Sequence, residues 1–133
     1  TGLTGVYFQG NAPSVVYGYS VFRGDDAAIV YYLPGTTGWD EFSVDTVLPP
    51  ALWVLANPLI LNIGPSFGVQ TNGFGFIISW ATNVPVVVEA STDLANPTTW
   101  SPLRTNTLTD GSAYFSDPEW TNYPARFYRL RSP

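Results

Sequence analysis

The amino-acid sequence predicts an all-β protein built in two parts. Three observations carry that expectation. A short aromatic strand pattern occurs twice in the front half, 24 residues apart. The back half alternates apolar and small or polar residues with a period of two, the signature of a half-buried strand. No stretch offers a capped amphipathic helix of any length, because 12 Gly and 12 Pro punctuate the 133 residues.

In the front half the strand candidates are Leu3–Phe8, Val15–Phe22 and Ala28–Leu33, rich in Val, Ile, Tyr and Phe. Gly5-Val6-Tyr7-Phe8-Gln9-Gly10 is echoed by Ile29-Val30-Tyr31-Tyr32-Leu33-Pro34. The echo aligns Val6 with Val30, Tyr7 with Tyr31 and Phe8 with Tyr32. A β-type run at that interval lies within the range of leucine-rich solenoid repeats. Pro34-Gly35 closes the second copy as a turn. Thr37–Phe42 is expected to form a single helical turn, and Ala51–Leu55 another short apolar piece. Asn57-Pro58 and Gly64-Pro65 frame a stiff stretch. The domain reading is therefore a truncated leucine-rich-repeat-like β unit at 1–56, a connector at 57–65 and a second domain at 66–133.

The second domain opens with the turn signal Asn72-Gly73. Phe74, Phe76, Ile78 and Trp80 then alternate with Gly75, Ile77 and Ser79. Val84–Ser91 puts Val86, Val88 and Ala90 on one face. Trp100–Leu108 is interrupted by Pro102, which marks it as an edge strand. Asp110-Gly111 turns the chain into Ser112–Phe115, and Arg126–Arg131 alternates at the end. Short strands at this spacing predict an immunoglobulin-like or fibronectin-III-like β-sandwich.

Composition narrows the function. Charged residues are only 11% and aromatics 16%, the opposite of a disordered chain. The net charge of −5 argues against a general nucleic-acid binder. All five cations are Arg. Residues 1–64 hold five acids against Arg23, whereas Arg126, Arg129 and Arg131 crowd the last eight residues. That polarity suits head-to-tail association. The apolar run around Ala51–Ile63 is broken by Asn57 and Pro58 and is too short to span a bilayer. With Thr rather than Met at its start, the chain reads as a processed or partial product.

Leu3-Thr4-Gly5-Val6-Tyr7-Phe8, Gly10-Asn11-Ala12-Pro13, Val21-Phe22 and Val30-Tyr31-Tyr32-Leu33-Pro34-Gly35-Thr36-Thr37-Gly38-Trp39 together resemble the last repeats of bacterial cell-surface leucine-rich repeat proteins. Val87–Leu94, Trp100-Ser101-Pro102-Leu103, Tyr114–Pro118 and Arg126–Leu130 resemble the β-sandwich tail that often follows those repeats. The resemblance spans nearly the whole chain. It implies a secreted or surface-attached protein without catalysis in this region, and it lacks the long upstream repeat array.

Catalytic chemistry has few residues to work with. The chain has no His, Cys or Lys, so triads, thiolate nucleophiles, Schiff bases and Cys-type metal sites are excluded. Carboxylate pairs remain at Asp25/Asp26, Asp40/Glu41 and Asp117/Glu119, and a carboxylate glycosidase is the weakest of three readings. Asp117 and Glu119 could supply two oxygen ligands to calcium, without any repeated Asp/Gly spacing to support it. No cofactor is expected. Among the five Trp, Trp80 and Trp100 fit core patterns and Trp39 closes a repeat. Trp53 and Trp120 are left as candidate glycan contacts.

The leading expectation is a non-catalytic extracellular structural protein whose partners are copies of itself. Leu3, Val6, Tyr7 and Phe8 lie on a strand with no preceding repeat, and an uncovered strand edge templates pairing with another chain. Asp25 and Asp26 near that strand are expected to meet Arg126, Arg129 and Arg131 of the next copy. Such a heterologous contact builds a fibre or surface layer. The alternative is a glycan- or cell-surface-binding module cut from a longer repeat protein. Neither reading involves nucleic acid or membrane insertion.

Overall fold

The computed structural model describes residues 2–14 and 21–133. The described chain is mostly β, in several sheets, with one α-helix. It divides into two compact units, Thr1–Val54 and Leu55–Pro133.

In the first unit, β1 (Gly5–Phe8), β2 (Ile29–Tyr32) and β3 (Pro50–Leu52) form a parallel sheet in the order β1-β2-β3. The sequence echo is the pairing register itself. Val6 lies opposite Val30, Tyr7 opposite Tyr31 and Phe8 opposite Tyr32. A third rung follows 20 residues on, with Pro50, Ala51 and Leu52 opposite Val30, Tyr31 and Tyr32. The two sequence copies are thus joined by a strand that carries almost none of their pattern. Of the expected strand Val15–Phe22, residues 15–20 lie outside the described residues, while Val21 and Phe22 sit in a turn.

Between β2 and β3 the chain makes α1 (Trp39–Thr46), longer than the single turn expected. Gly38 caps it in a left-handed conformation, φ 89°. Val47 ends it at φ 63°, donating its N–H to the Ser43 carbonyl. A β-branched residue in that region is a steric outlier. Trp39 and Phe42 face inward and join buried Ala28, Val30 and Leu48, with Phe8, Ala12, Phe22 and Tyr32 packed around them. The Trp39 ring stacks on Tyr32 at 5.0 Å, and its indole N–H donates to the Thr36 hydroxyl at 2.8 Å. A buried indole N–H must find such an acceptor.

In the second unit, β6 (Gly73–Ser79) is flanked along one edge by β9 (Ser112–Asp117) and along the other by β4 (Leu59–Leu61) and β5 (Gly68–Gln70), all antiparallel. A second antiparallel sheet runs β10-β7-β8, made of Phe127–Arg131, Pro85–Ser91 and Ser101–Thr107. Both sheets feed one core: Phe76 and Ile78 of β6, Phe115 of β9, Val86 and Val88 of β7, and Leu108. The period-two reading of residues 74–80 placed these side chains on the inner face because alternate residues of a strand share a face. Residues 57–65, expected as a connector, contain β4, whose apolar Leu59-Ile60-Leu61 pairs with β6 instead of running free.

Turn chemistry follows the sequence signals. Asp110 and Gly111 both take positive φ, 53° and 78°, as a tight hairpin turn requires. Edge strand β8 tolerates Pro102 beside a bulge that skips Leu103. At Gly75 a Cβ would run into the Tyr114 phenol as it now lies, so a larger residue there requires that ring to move.

Candidate functional site

Among the described residues, the sheet of the first unit has two unpaired edges, the outer sides of β1 and of β3. In a parallel sheet, alternate residues of a strand turn both N–H and C=O to the same neighbour. The Ile29 N–H donates to the Thr4 carbonyl at 3.1 Å, so Thr4, Val6 and Phe8 face β2. Gly5 and Tyr7 therefore turn their main-chain groups outward. No described strand pairs with that edge. At the far side of the sheet the same alternation applies. The Val30 N–H donates to the Pro49 carbonyl and the Trp53 N–H to the Tyr32 carbonyl, so Pro50 and Leu52 face outward. Pro50 has no N–H, which leaves that edge with a single donor, Leu52.

Side chains on the outer face of the sheet are aromatic. Tyr7 and Tyr31 stack with centroids 4.7 Å apart and planes within 10°. That separation is the spacing of neighbouring strands, about 4.8 Å. Trp53 meets Tyr7 edge-on at 5.2 Å. Gly5 lies under these rings, with its Cβ position only 3.2 Å from Tyr31 Cε2. Tyr7 remains 58% exposed.

The other residues singled out from the sequence fall in distinct places. Leu3 is exposed, while Val6 and Phe8 are half-buried. Phe8 belongs to the unit's own core, tilted against Trp39 at 5.1 Å and edge-on to Phe42 at 5.6 Å. Asp25 Oδ1 accepts from the Gly2 and Leu3 amides at 3.0 Å each, tying the start of the chain to the turn before β2. Asp26 is exposed. Trp120 does not join an exposed aromatic cluster; it is half-buried in a short 3-10 turn, 6.3 Å from Phe74. Tyr31, Gly5, Pro50 and Leu52 were missed as site residues. Only Tyr31 left a signal, as the repeat partner of Tyr7.

The three C-terminal arginines, expected to meet Asp25 and Asp26 of another copy, already have carboxylate partners within the second unit. Register places Arg129 opposite Glu89 of β7. Glu89 is buried, and a buried carboxylate needs countercharge. Arg129 and Arg131 donate to its two oxygens at 2.7 and 3.0 Å. These hydrogen bonds hold the Glu89 carboxyl below the usual glutamate range. The Arg129 guanidinium also lies over Trp100, 4.3 Å from its centroid. Arg126 is almost fully buried against Asp117 and stacks over Tyr123 at 4.0 Å.

Asp117 is equally committed. Its Oδ1 accepts from the Glu119 amide at 3.0 Å, and its Oδ2 from Arg126 Nε and from the Tyr128 hydroxyl at 3.1 Å. Burial, then the charge of Asp117 and its hydrogen bond, push the Tyr128 phenol up to about 12. A carboxylate with both oxygens engaged this way orders the end of β9. Among the described residues no group of three or more acidic side chains is arranged to hold a metal ion. Among the described residues no helix is long and apolar enough to cross a membrane. Comparison of the chain with protein-family models, with curated proteins and with solved structures finds no match.

Proposed function

We propose that this chain is a non-catalytic structural protein of the cell surface or extracellular space that associates head-to-tail into a fibre or layer. In this reading the first unit is a short leucine-rich-repeat-like β stack and the second an immunoglobulin- or fibronectin-III-like sandwich. The observation that carries it is the outward edge of β1, where the main-chain groups of Gly5 and Tyr7 have no described partner. Natural edge strands are guarded by Lys, Pro or bulges. The β1 edge has none of these, and its outer face is aromatic and uncharged. Adding a strand there satisfies the main chain, and the Tyr7 ring supplies apolar contact.

Light scattering and negative-stain imaging of the full chain test the proposal. Extended or layered assemblies are expected at micromolar concentration. Tyr7→Lys places a charge on the edge without touching the core. It should raise the concentration needed for association at least about tenfold, a change of ~1.4 kcal/mol. A wild-type chain that stays monomeric at high concentration refutes the reading.

A second reading has one observation in its favour. Tyr7, Tyr31 and Trp53 form an aromatic cluster without charge, a surface suited to the apolar face of a neutral sugar. Retention of the chain by neutral polysaccharide, lost in Trp53→Ala, would favour glycan binding over assembly.

A further inference from the structure

Resting on the assembly reading, we infer that the β1 edge of one copy pairs in parallel with the β3 edge of the next, so that the three-stranded ladder continues from molecule to molecule. Four observations lead to this pairing. The sheet is in register across all three rungs, so the strand that continues it beyond β1 runs parallel and presents its opposite edge. Only an edge of the β3 kind meets that requirement within this sheet. The hydrogen-bonding groups are complementary at Tyr7, while the Gly5 carbonyl meets Pro50, which has no N–H to offer it. Outward Tyr7 offers one donor and one acceptor, and the β3 edge offers the Pro50 carbonyl and the Leu52 N–H. In the continued register, Ala51 of the next copy lies opposite Tyr7. The Tyr7 N–H then donates to the Pro50 carbonyl, and the Leu52 N–H donates to the Tyr7 carbonyl.

Side chains agree with the main chain. Leu3 and Tyr7 are exposed beside one edge, and Leu52 and Val54 beside the other, each at 42–58%. Exposed apolar residues at both ends of one sheet are covered together by a single repeated contact. Opposite Tyr7 the incoming strand has the small Ala51, which leaves room for the phenol ring. Pro50 also makes the two edges unequal. A contact between unlike edges cannot close on itself as a two-fold dimer does, and it propagates as a filament wherever its rotation does not close a ring.

Complementation between two variants tests the inference. Leu52→Pro removes the donor of the β3 edge and leaves β1 intact. Tyr7→Lys blocks the β1 edge and leaves β3 intact. In sedimentation velocity each variant alone should be monomeric, and an equimolar mixture should give a dimer through its two unaltered edges, with no larger species. Near-UV circular dichroism checks that each is folded, and Leu52→Lys replaces Leu52→Pro if the proline variant is not. If Leu52→Pro or Leu52→Lys associates by itself as well as the wild type does, the β1–β3 pairing is overturned while assembly through β1 stands. A mixture that remains monomeric also overturns it. A wild-type chain that never associates removes both the pairing and the reading it rests on.

Discussion

The two units differ in what they do with charge, although the second still leaves Ser79 Oγ and Asn106 Nδ2 buried without a partner. In the second unit buried charge is closed internally. Glu89 is gripped by Arg129 and Arg131, and Asp117 by Arg126 and Tyr128. Edge strand β8 is blunted by Pro102 and a bulge. The first unit is held by a chain of rings running from Tyr32 through Trp39 and Phe42 to Phe8 and Phe22, and it leaves β1 unguarded. From the sequence, the arginine-rich end was expected as the counterpart that an uncovered leading strand would meet in the next copy. The difference teaches that a charged tail can find its countercharge on neighbouring strands of its own unit, whereas the neutral strand β1 has one edge without a partner among the described residues.

The largest effect expected from breaking this contrast comes from Asp117→Ala. It strands the Arg126 guanidinium in a site where its side chain is only 9% exposed. Removing one partner of a buried pair typically costs about 3–5 kcal/mol. Urea unfolding followed by Trp fluorescence should show that loss. An effect below about 1 kcal/mol would mean that Asp117 is not what closes this corner.

Glu89 gives a smaller, pH-dependent effect. Its carboxyl is depressed in the folded chain, so its contribution is present above the ordinary glutamate pKa. That contribution is lost as the pH falls through the lowered folded-state value. Arg129 and Arg131 are about half exposed, at 46% and 50%, and solvent screens part of the interaction. Glu89→Gln should lower the melting temperature at neutral pH and flatten its fall on acidification. An unchanged acid limb would show that other carboxylates govern it.

The smallest effect separates the units by backbone strain. The second unit fills its positive-φ turns with Asn83, Asp110 and glycine, residues that tolerate them, whereas the first uses Val47 beside its glycines. Val47→Gly should therefore stabilise the chain, by about 1 kcal/mol. Asn83→Gly should change stability by a few tenths at most, and equal effects at the two sites would erase the distinction.

Legibility from sequence followed the same division. The β1–β2 register was readable because both strands carry the same β-branched and aromatic residues at one interval. Phe76 and Ile78 were readable because one face of a strand is buried. β3 was not, since Pro50-Ala51-Leu52 has neither alternation nor strand propensity and is ordered by the rung beside it. β4 was hidden because Asn57-Pro58 and Gly64-Pro65 look like linker punctuation. The partners of Arg126, Arg129 and Arg131 were out of reach because they depend on how β10 registers against β7 and on where β9 ends. The open edge was half legible. A leading strand could be seen, but which of its residues turn outward required the hydrogen bond from Ile29 to Thr4.

The tight fit at Gly75 ties its fate to that of Tyr114. The phenol occupies the volume into which any larger residue on β6 would grow. Position 114 can shrink by itself in a lineage that keeps this fold, whereas position 75 cannot grow while the phenol stays where it is. A methyl at 75 comes easily once 114 has shrunk, and a chain that reached alanine first would have to turn its exposed tyrosine aside to keep it.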